Sequence, residues 1–385
     1  MATTSSTFGA CPPYVVRDLG TIVGGDIRIE PGSGAWAISP GGTIVGLSIT
    51  TGDERNIHGF RIVGGGTDVI DLGVIGTDHH SIAFAVNAGG DAVGVSYSLG
   101  ELAPHAALWP AGGGSTNLGD FTARDINSLG TVVGEKPVAG KPGVSHAVRA
   151  QGGATLDLGT LGGGHSSAMA INDAGWIVGE SLLTDGKTIR AFVWKPSAMS
   201  ALPTLGGTRS HGIDINNSDV VVGIADTASA QPHAVRWTLD GNGVVTETLD
   251  LGVFPGGLNS AAYAIDDVGD IVGTSDDRAV AWFGGGAVTD LNSQIDPGSG
   301  WLLRKATGIN AAGQIVGFGK HLGRGRAFLL TPRAPADLNA DGKVDGGDLG
   351  IMLAAFGGSD VCADLDHNGT VDGADLGLLL GAWTS

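Results

Sequence analysis

The sequence predicts a mainly β protein: a seven-bladed β-propeller over residues 12–332, closed by its own N-terminal strand, followed by a small α-helical tail over residues 333–385. Three observations carry this prediction: a sevenfold repeat, an offset of that repeat at the two ends of the chain, and a change of grammar at residue 333. An Ile/Val/Ala-Val-Gly phrase ends at Gly46, Gly94, Gly134, Gly179, Gly223, Gly273 and Gly317, at intervals of 40–50 residues. That period belongs to propeller blades and related arrays. A position shared by all copies serves the fold, so function is expected where the copies differ.

Each copy reads as four short strands. In residues 166–207 an alanine-rich first strand ends at Asn172, and Gly175 follows three residues later. An Asn side chain starts a turn and Gly tolerates positive φ, so the pair predicts a tight hairpin. The turn recurs at Asn87…Gly90, Asn127…Gly130 and Asn310…Gly313; Asp266…Gly269 varies it, and Asn216…Asp219 loses the glycine. A Val/Ile second strand follows, then a polar loop of variable length. The third strand reads RAFVW here, HAALW at 105–109, HAVRW at 233–237, RAVAW at 278–282 and RAFLL at 326–330. A short fourth strand ends in Asp-Leu-Gly or a relative, as at Asp71, Asp157 and Asp250. No segment of the repeat shows helical periodicity. Small residues in the first strands (Ala168, Ala170, Ala262, Ala264) suit crowding near a central axis.

Seven such units either stack as an open solenoid or close into a ring, and the chain ends decide. VVRDLGT at 15–21 matches a fourth strand, and the last unit stops after its third, RAFLLTP. A ring uses that offset to complete its last blade, and closure hides the terminal edges.

At residue 333 the pattern changes. DLNADGKVDGGD begins at Asp337 and DLDHNGTVDGAD at Asp364, 27 residues later. Each has the form of a calcium loop: oxygen ligands at positions 1, 3 and 5, glycine at 6, a backbone carbonyl at 7 and a carboxylate at 12. In the first loop these are Asp337, Asn339, Asp341, Gly342, Lys343 and Asp348; in the second, Asp364, Asp366, Asn368, Gly369, Thr370 and Asp375. Asp345 and Asp372 stand at position 9, as ligands through water. Two Ca2+ ions are the expected cofactors. Each loop runs into an apolar stripe at i, i+3, i+4, i+7 (Leu349, Met352, Leu353, Phe356; Leu376, Leu379, Leu380, Trp383), which predicts a short helix.

This duplicated loop–helix unit, closed by Asp at position 12, resembles a type I dockerin over residues 336–383. The resemblance implies docking onto a cohesin-like scaffold protein that is secreted or on a cell surface. It places partner choice at loop positions 10 and 11: Gly346, Gly347, Gly373 and Ala374. Over residues 15–330 the repeats are similar to the bacterial extracellular HAF-repeat family, through His58-Gly-Phe, His105-Ala-Ala, His146-Ala-Val and His233-Ala-Val. That likeness implies secretion and propeller form.

A net charge of −18 without a basic stripe argues against nucleic acid. No apolar run approaches the ~18 residues that span a bilayer. Residues 1–14 show neither the basic nor the apolar region of a leader; a secreted or cell-surface location is expected all the same, because calcium modules of this class work at extracellular calcium levels. Cys11 and Cys362 are the only cysteines, and the sequence leaves their pairing open.

The third-strand His58, His105, His146, Arg190, His233, Arg278 and Arg326, and Trp109, Trp194, Trp237 and Trp282, repeat with the blades and are assigned to packing. Loops from a fourth strand to the next first strand carry His79, His80, His165, Arg209, His211 and Trp301, the candidate face for a polysaccharide or protein ligand, or for a metal. Asp53, Glu54, Glu101, Asp185 and Asp226 are scattered and make no carboxylate pair of the glycosidase kind. Gly-x-Ser-x-Gly, His-Glu-x-x-His and phosphate-loop motifs are absent. The sequence thus points to a non-enzymatic, calcium-binding propeller attached through its tail. The alternatives are a polysaccharide hydrolase or lyase carried on that tail, and a self-assembling surface protein.

Overall fold

A computed structural model describes residues 11–22, 32–50, 56–100, 104–196 and 198–384, and places their strands in seven four-stranded sheets. The chain is a seven-bladed β-propeller with two short helices at its C-terminal end. Six blades are consecutive four-strand meanders. The seventh is built from Trp301–Ile309, Ile315–His321 and Arg324–Pro332, with the N-terminal Tyr14–Asp18 as its outermost strand. The offset at the chain ends therefore does what the sequence predicts. Asp53, Glu54 and Glu101 lie outside the described residues.

The repeated Val-Gly phrase has a steric cause. In every blade the first strand carries a bulge against the second, at Trp36, Phe84, Arg124, Met169, Ile213, Tyr263 and Thr307. A bulge inserts an unpaired residue and bends the strand. The repeated glycine faces the small residue just before the bulge, as in Ala168↔Gly179 and Ala262↔Gly273. The bend brings a first-strand carbonyl oxygen against each of these seven glycines, where any Cβ would overlap it.

At the hairpin end of the same strands, one side chain organises each turn. The side-chain oxygen of Ser39, Asn87, Asn127, Asn172, Asn216, Asp266 or Asn310 accepts the backbone N–H four residues on, at 2.9–3.1 Å. The amide then reaches to the next blade. Asn87, Asn127, Asn172 and Asn216 each donate Nδ2–H to the backbone carbonyl of the equivalent residue in the following blade, and Asn310 donates to Ser39, joining the last blade to the first. Ser39 and Asp266, which have no amide, interrupt this belt.

A second set of contacts ties five of the third strands to the following blade. Ser33, Ser81, Ser166, Ser210 and Ser260 accept the N–H of Ala327, Gly59, Ala147, Ala191 and Ala234 in the preceding blade. The third-strand cations stay within the blade. His58, His146, His233 and Arg278 pair with Asp71, Asp157, Asp250 and Asp290 on the fourth strand at 2.8–2.9 Å. Where Asn117 replaces that Asp, His105 turns to Asp78 instead. Trp109, Trp237 and Trp282 are fully buried.

The chain divides into two compact units. One comprises Asp18–Asn292 and Gly300–Leu329. The other comprises the described parts of Met1–Arg17, Ser293–Ser299 and Leu330–Ser385. In the second, Cys11 and Cys362 form a disulfide, and helices α1 (Gly346–Ala355) and α2 (Gly373–Gly381) follow the two acidic loops. Its core is made of pairs 27 residues apart: Ala336 and Ala363, Val344 and Val371, Met352 and Leu379. The predicted apolar stripes are only half used. Leu349 and Leu376 pack on this core, whereas Leu353, Phe356, Leu380 and Trp383 are exposed. Two helices this short have one shared inner surface, too narrow to cover a full stripe on each. Among the described residues no helix is long and apolar enough to cross a membrane.

Candidate functional site

The bulged residues are where the blades differ, and all seven line one cavity of about 300 Å³. Because every blade contributes, this cavity is one end of the propeller's central channel. Its rim has two unlike arcs. Blades six, seven, one and two supply aromatics: Trp36 lies edge-on to Phe84 (6.3 Å) and to Phe318 (6.1 Å). Lys305 Nζ sits 3.7 Å from the Tyr263 ring centre and 6.0 Å from that of Phe318, and the Arg124 guanidinium lies 5.1 Å from Phe84. Such contacts hold cations on ring faces and fix the rings' orientation. The Trp36 indole N–H is buried with no acceptor in the protein.

On the other arc Arg124 lines the cavity and joins an ionisable cluster drawn from blades three to five. Arg124 Nη2 donates to Glu135 Oε1 at 3.1 Å, and His165 Nε2 lies 3.9 Å from the other oxygen of Glu135. His211 Nδ1 and Glu180 Oε2 form a short hydrogen bond of 2.5 Å. That bond is the main reason the Glu180 carboxyl is held below its ordinary range, with the charges of His165 and Arg124 adding to it. Glu135 and Glu180 occupy the position after Val-Gly, where the other blades carry Leu47, Val95, Ile224, Thr274 and Phe318. The sequence reading passed over both glutamates and all seven bulge positions. The signal was present, as the variable residue in Ala-x-Ala-Ile and the residue following each repeated glycine.

Deeper in the channel, Asp125 and Asp214 follow the bulge in blades three and five, where other blades have Ala or Gly. Each accepts two backbone N–H groups: Asp125 from Ile126 and, across the seam, Ile171; Asp214 from Ile215 and, across the seam, Ile265. Burial still dominates, raising Asp125 to about 6 and Asp214 to about 7. At the hairpin end, burial also raises Asp266, whose Oδ2 has no partner.

The residues expected on the ligand face are dispersed. Only His79 lies in a connecting segment; it is exposed and 3.0 Å from the Ser98 hydroxyl. His80, His165, Arg209, His211 and Trp301 belong to first strands, which in blades four and five run over Gly162–Ile171 and Gly206–Ile215. The glycine-rich stretches read as loops because glycine lacks strand propensity, but they continue to pair with the second strands. His80 is buried, stacked on Tyr97, and burial lowers its pKa. Arg209 pairs with Asp226 and Trp301 stacks on His321 within their own blades. Of the six, His165 and His211 share an influence on one group, the Glu180 carboxyl.

In the tail, the two loops repeat the same hydrogen bonds. Asp348 Oδ1 accepts from Leu338 and Asn339, and its Oδ2 from Asp345; Asp375 does the same with Leu365, Asp366 and Asp372. The Asp372 N–H is the largest cause holding the Asp375 carboxyl low. Asp345 and Asp372 are the N-caps of α1 and α2, each in a capping box with the Asp three residues on. Asp337 accepts from Asp341 and Gly342, and Asp364 from Asn368 and Gly369; Gly342 and Gly369 have the positive φ that the turn requires. Burial raises Asp337, with Asp348 and Asp341 adding like charge. In the second loop carboxylate oxygens of Asp364, Asp366 and Asp375 lie within 4.8 Å of one another. In the first, Asn339 stands at the third position and donates its amide to Asp341. The backbone carbonyls of Lys343 and Thr370 are at position 7. Gly346, Gly347, Gly373 and Ala374 open the two helices.

No protein-family model and no curated protein matches this chain. Among solved structures it is similar to YCF48 bound to D1 peptide, at 13% identity and a TM-score of 0.51, over 84% of this chain and 96% of that one. It is also similar to the β-propeller domain of the Trilobed protease from Pyrococcus furiosus, at 10% identity and a TM-score of 0.50, over 77% and 93%. TolB from Acinetobacter baumannii matches at 11% identity and a TM-score of 0.43, over 78% of this chain but only 63% of its own. At these identities the first two likenesses show the propeller fold alone.

Proposed function

We propose that the protein is a secreted or surface-held, calcium-binding, non-enzymatic propeller that offers its channel mouth to a ligand and is attached through residues 333–385. The observation that carries the attachment half is the tail's duplication in both ligand pattern and geometry. Two loops with the same spacing make the same backbone bonds, and three carboxylates of the second converge. Like charges held this close favour a divalent cation. A disulfide between Cys11 and Cys362 suits an oxidising compartment. Docking onto a cohesin-like partner is supported by exposed apolar pairs at the 27-residue spacing: Ile351 and Leu378, Leu353 and Leu380, Phe356 and Trp383. The non-enzymatic half is supported by Asp125 and Asp214, the channel carboxylates with raised pKa, because both oxygens of each are committed to backbone N–H groups.

Calcium titrated calorimetrically into the full chain should report two sites. Calcium should also protect residues 336–383 from protease, since the cation supplies the attraction that the clustered carboxylates lack. Cleavage at the same rate with and without chelator would sink the reading.

A further inference from the structure

We infer that the channel mouth binds the end of a neutral saccharide chain, aromatic arc to ring face and ionisable arc to hydroxyls. The inference rests on the reading of this mouth as a binding face and adds the class of ligand. A sugar ring has an apolar C–H face and a rim of hydroxyls that both donate and accept. The mouth offers the matching division: Trp36, Phe84 and Tyr263 line it on one side and Arg124 on the other, with Glu135 bonded to Arg124 and the Glu180–His211 pair close by. The aromatic rings are partly buried and held by edge contacts and by Lys305 and Arg124, so they are pre-set as platforms. Glu135 and Glu180 each give one oxygen to Arg124 or His211 and keep the other for a hydroxyl.

Charge selects the neutral class. Arg124 is matched by Glu135, and Asp125 and Asp214 line the same cavity, leaving no cationic excess for a uronate or sulfate, and the chain as a whole carries −18. Size selects an end over a mid-chain segment. About 300 Å³ is at the lower limit of small-molecule sites, and a cavity enclosed by seven strands admits a terminus more readily than a continuous polymer.

Calorimetry on the full chain, with neutral gluco-, manno- and xylo-oligosaccharides against oligogalacturonates, tests this. A neutral oligosaccharide should bind, and Trp36→Ala should weaken it about 10-fold or more, which corresponds to about 1.4 kcal/mol. Glu180→Gln, which keeps the packing, should weaken the same ligand several-fold with an unchanged melting temperature. No heat with any neutral oligosaccharide, preference for the oligogalacturonates, or binding unaffected by both substitutions would each overturn the inference. Selection by a peptide library of a ligand that Trp36→Ala abolishes would overturn the saccharide and leave the binding face standing. Shortening of the saccharide during the titration would do the reverse, keeping the ligand class and ending the non-enzymatic reading.

Discussion

The seven inner strands have two ends, and their residues follow opposite rules. At the hairpin end nearly every blade carries the same Asn, doing the same two jobs: closing its own turn and holding the next blade. Three residues earlier on the same strand, the bulge carries Trp, Phe, Arg, Met, Ile, Tyr and Thr in turn. One end is required to be alike because a belt needs identical links. The other is free to vary because its side chains face the channel, where their contacts can be with something else.

The sharpest way to break this comparison is at the glycine that permits the bulge. Gly179→Ala puts a methyl group on a carbonyl oxygen, and should cost about 3 kcal/mol or more in urea unfolding. A tolerated alanine would mean that the bulge is not what the Val-Gly phrase serves.

Next comes the belt. Asn172→Ala leaves the Trp176 N–H without its acceptor and takes from the Asn216 carbonyl one of its two donors, both in the interior. A loss of about 2–3 kcal/mol is expected, on the scale of unsatisfied buried groups.

Asp266→Asn should act in the opposite direction, since it supplies the missing amide. The folded-state pKa of Asp266 is raised by burial, so the native protein holds this proton more tightly than the unfolded chain. Wild-type stability from this group is therefore present in acid and is lost as pH rises through the folded pKa. The variant should gain about 1 kcal/mol at pH 7, and the gain should shrink as the pH is lowered. Thermal melts of both proteins across that range would check it; a gain that grows in acid would contradict the assignment.

The smallest expected effect is at the variable end. Glu180→Gln disturbs a partly exposed pair, and should shift stability by less than about 1 kcal/mol. A larger cost would move Glu180 to the structural side of the comparison.

Much of this was legible in the chain. The Val-Gly period, the Asn-x-x-Gly turns and the fourth-strand sequence at residues 15–21 led to seven blades and their closure, because each is a local signal whose repetition leaves one topology. The candidate site was less so. His165 and His211 stood out as polar interruptions, but their partners Glu135 and Glu180 looked like ordinary strand residues. The bulge positions looked like one phase of an alternating strand. A bulge leaves no residue type as its mark, only an extra residue in a register that a single strand does not reveal.

By itself, then, the sequence determined the number of blades, the order of strands and the acidic loops of the tail. These depend on turn chemistry and on spacing along the backbone. Only the tertiary structure decided which side chains gather around Arg124 at the channel mouth: Arg124, Glu135, His165, Glu180 and His211 span three blades, and the partner of each lies 11–31 residues away in the chain. Ring closure sets those distances, and no pattern within one repeat encodes them.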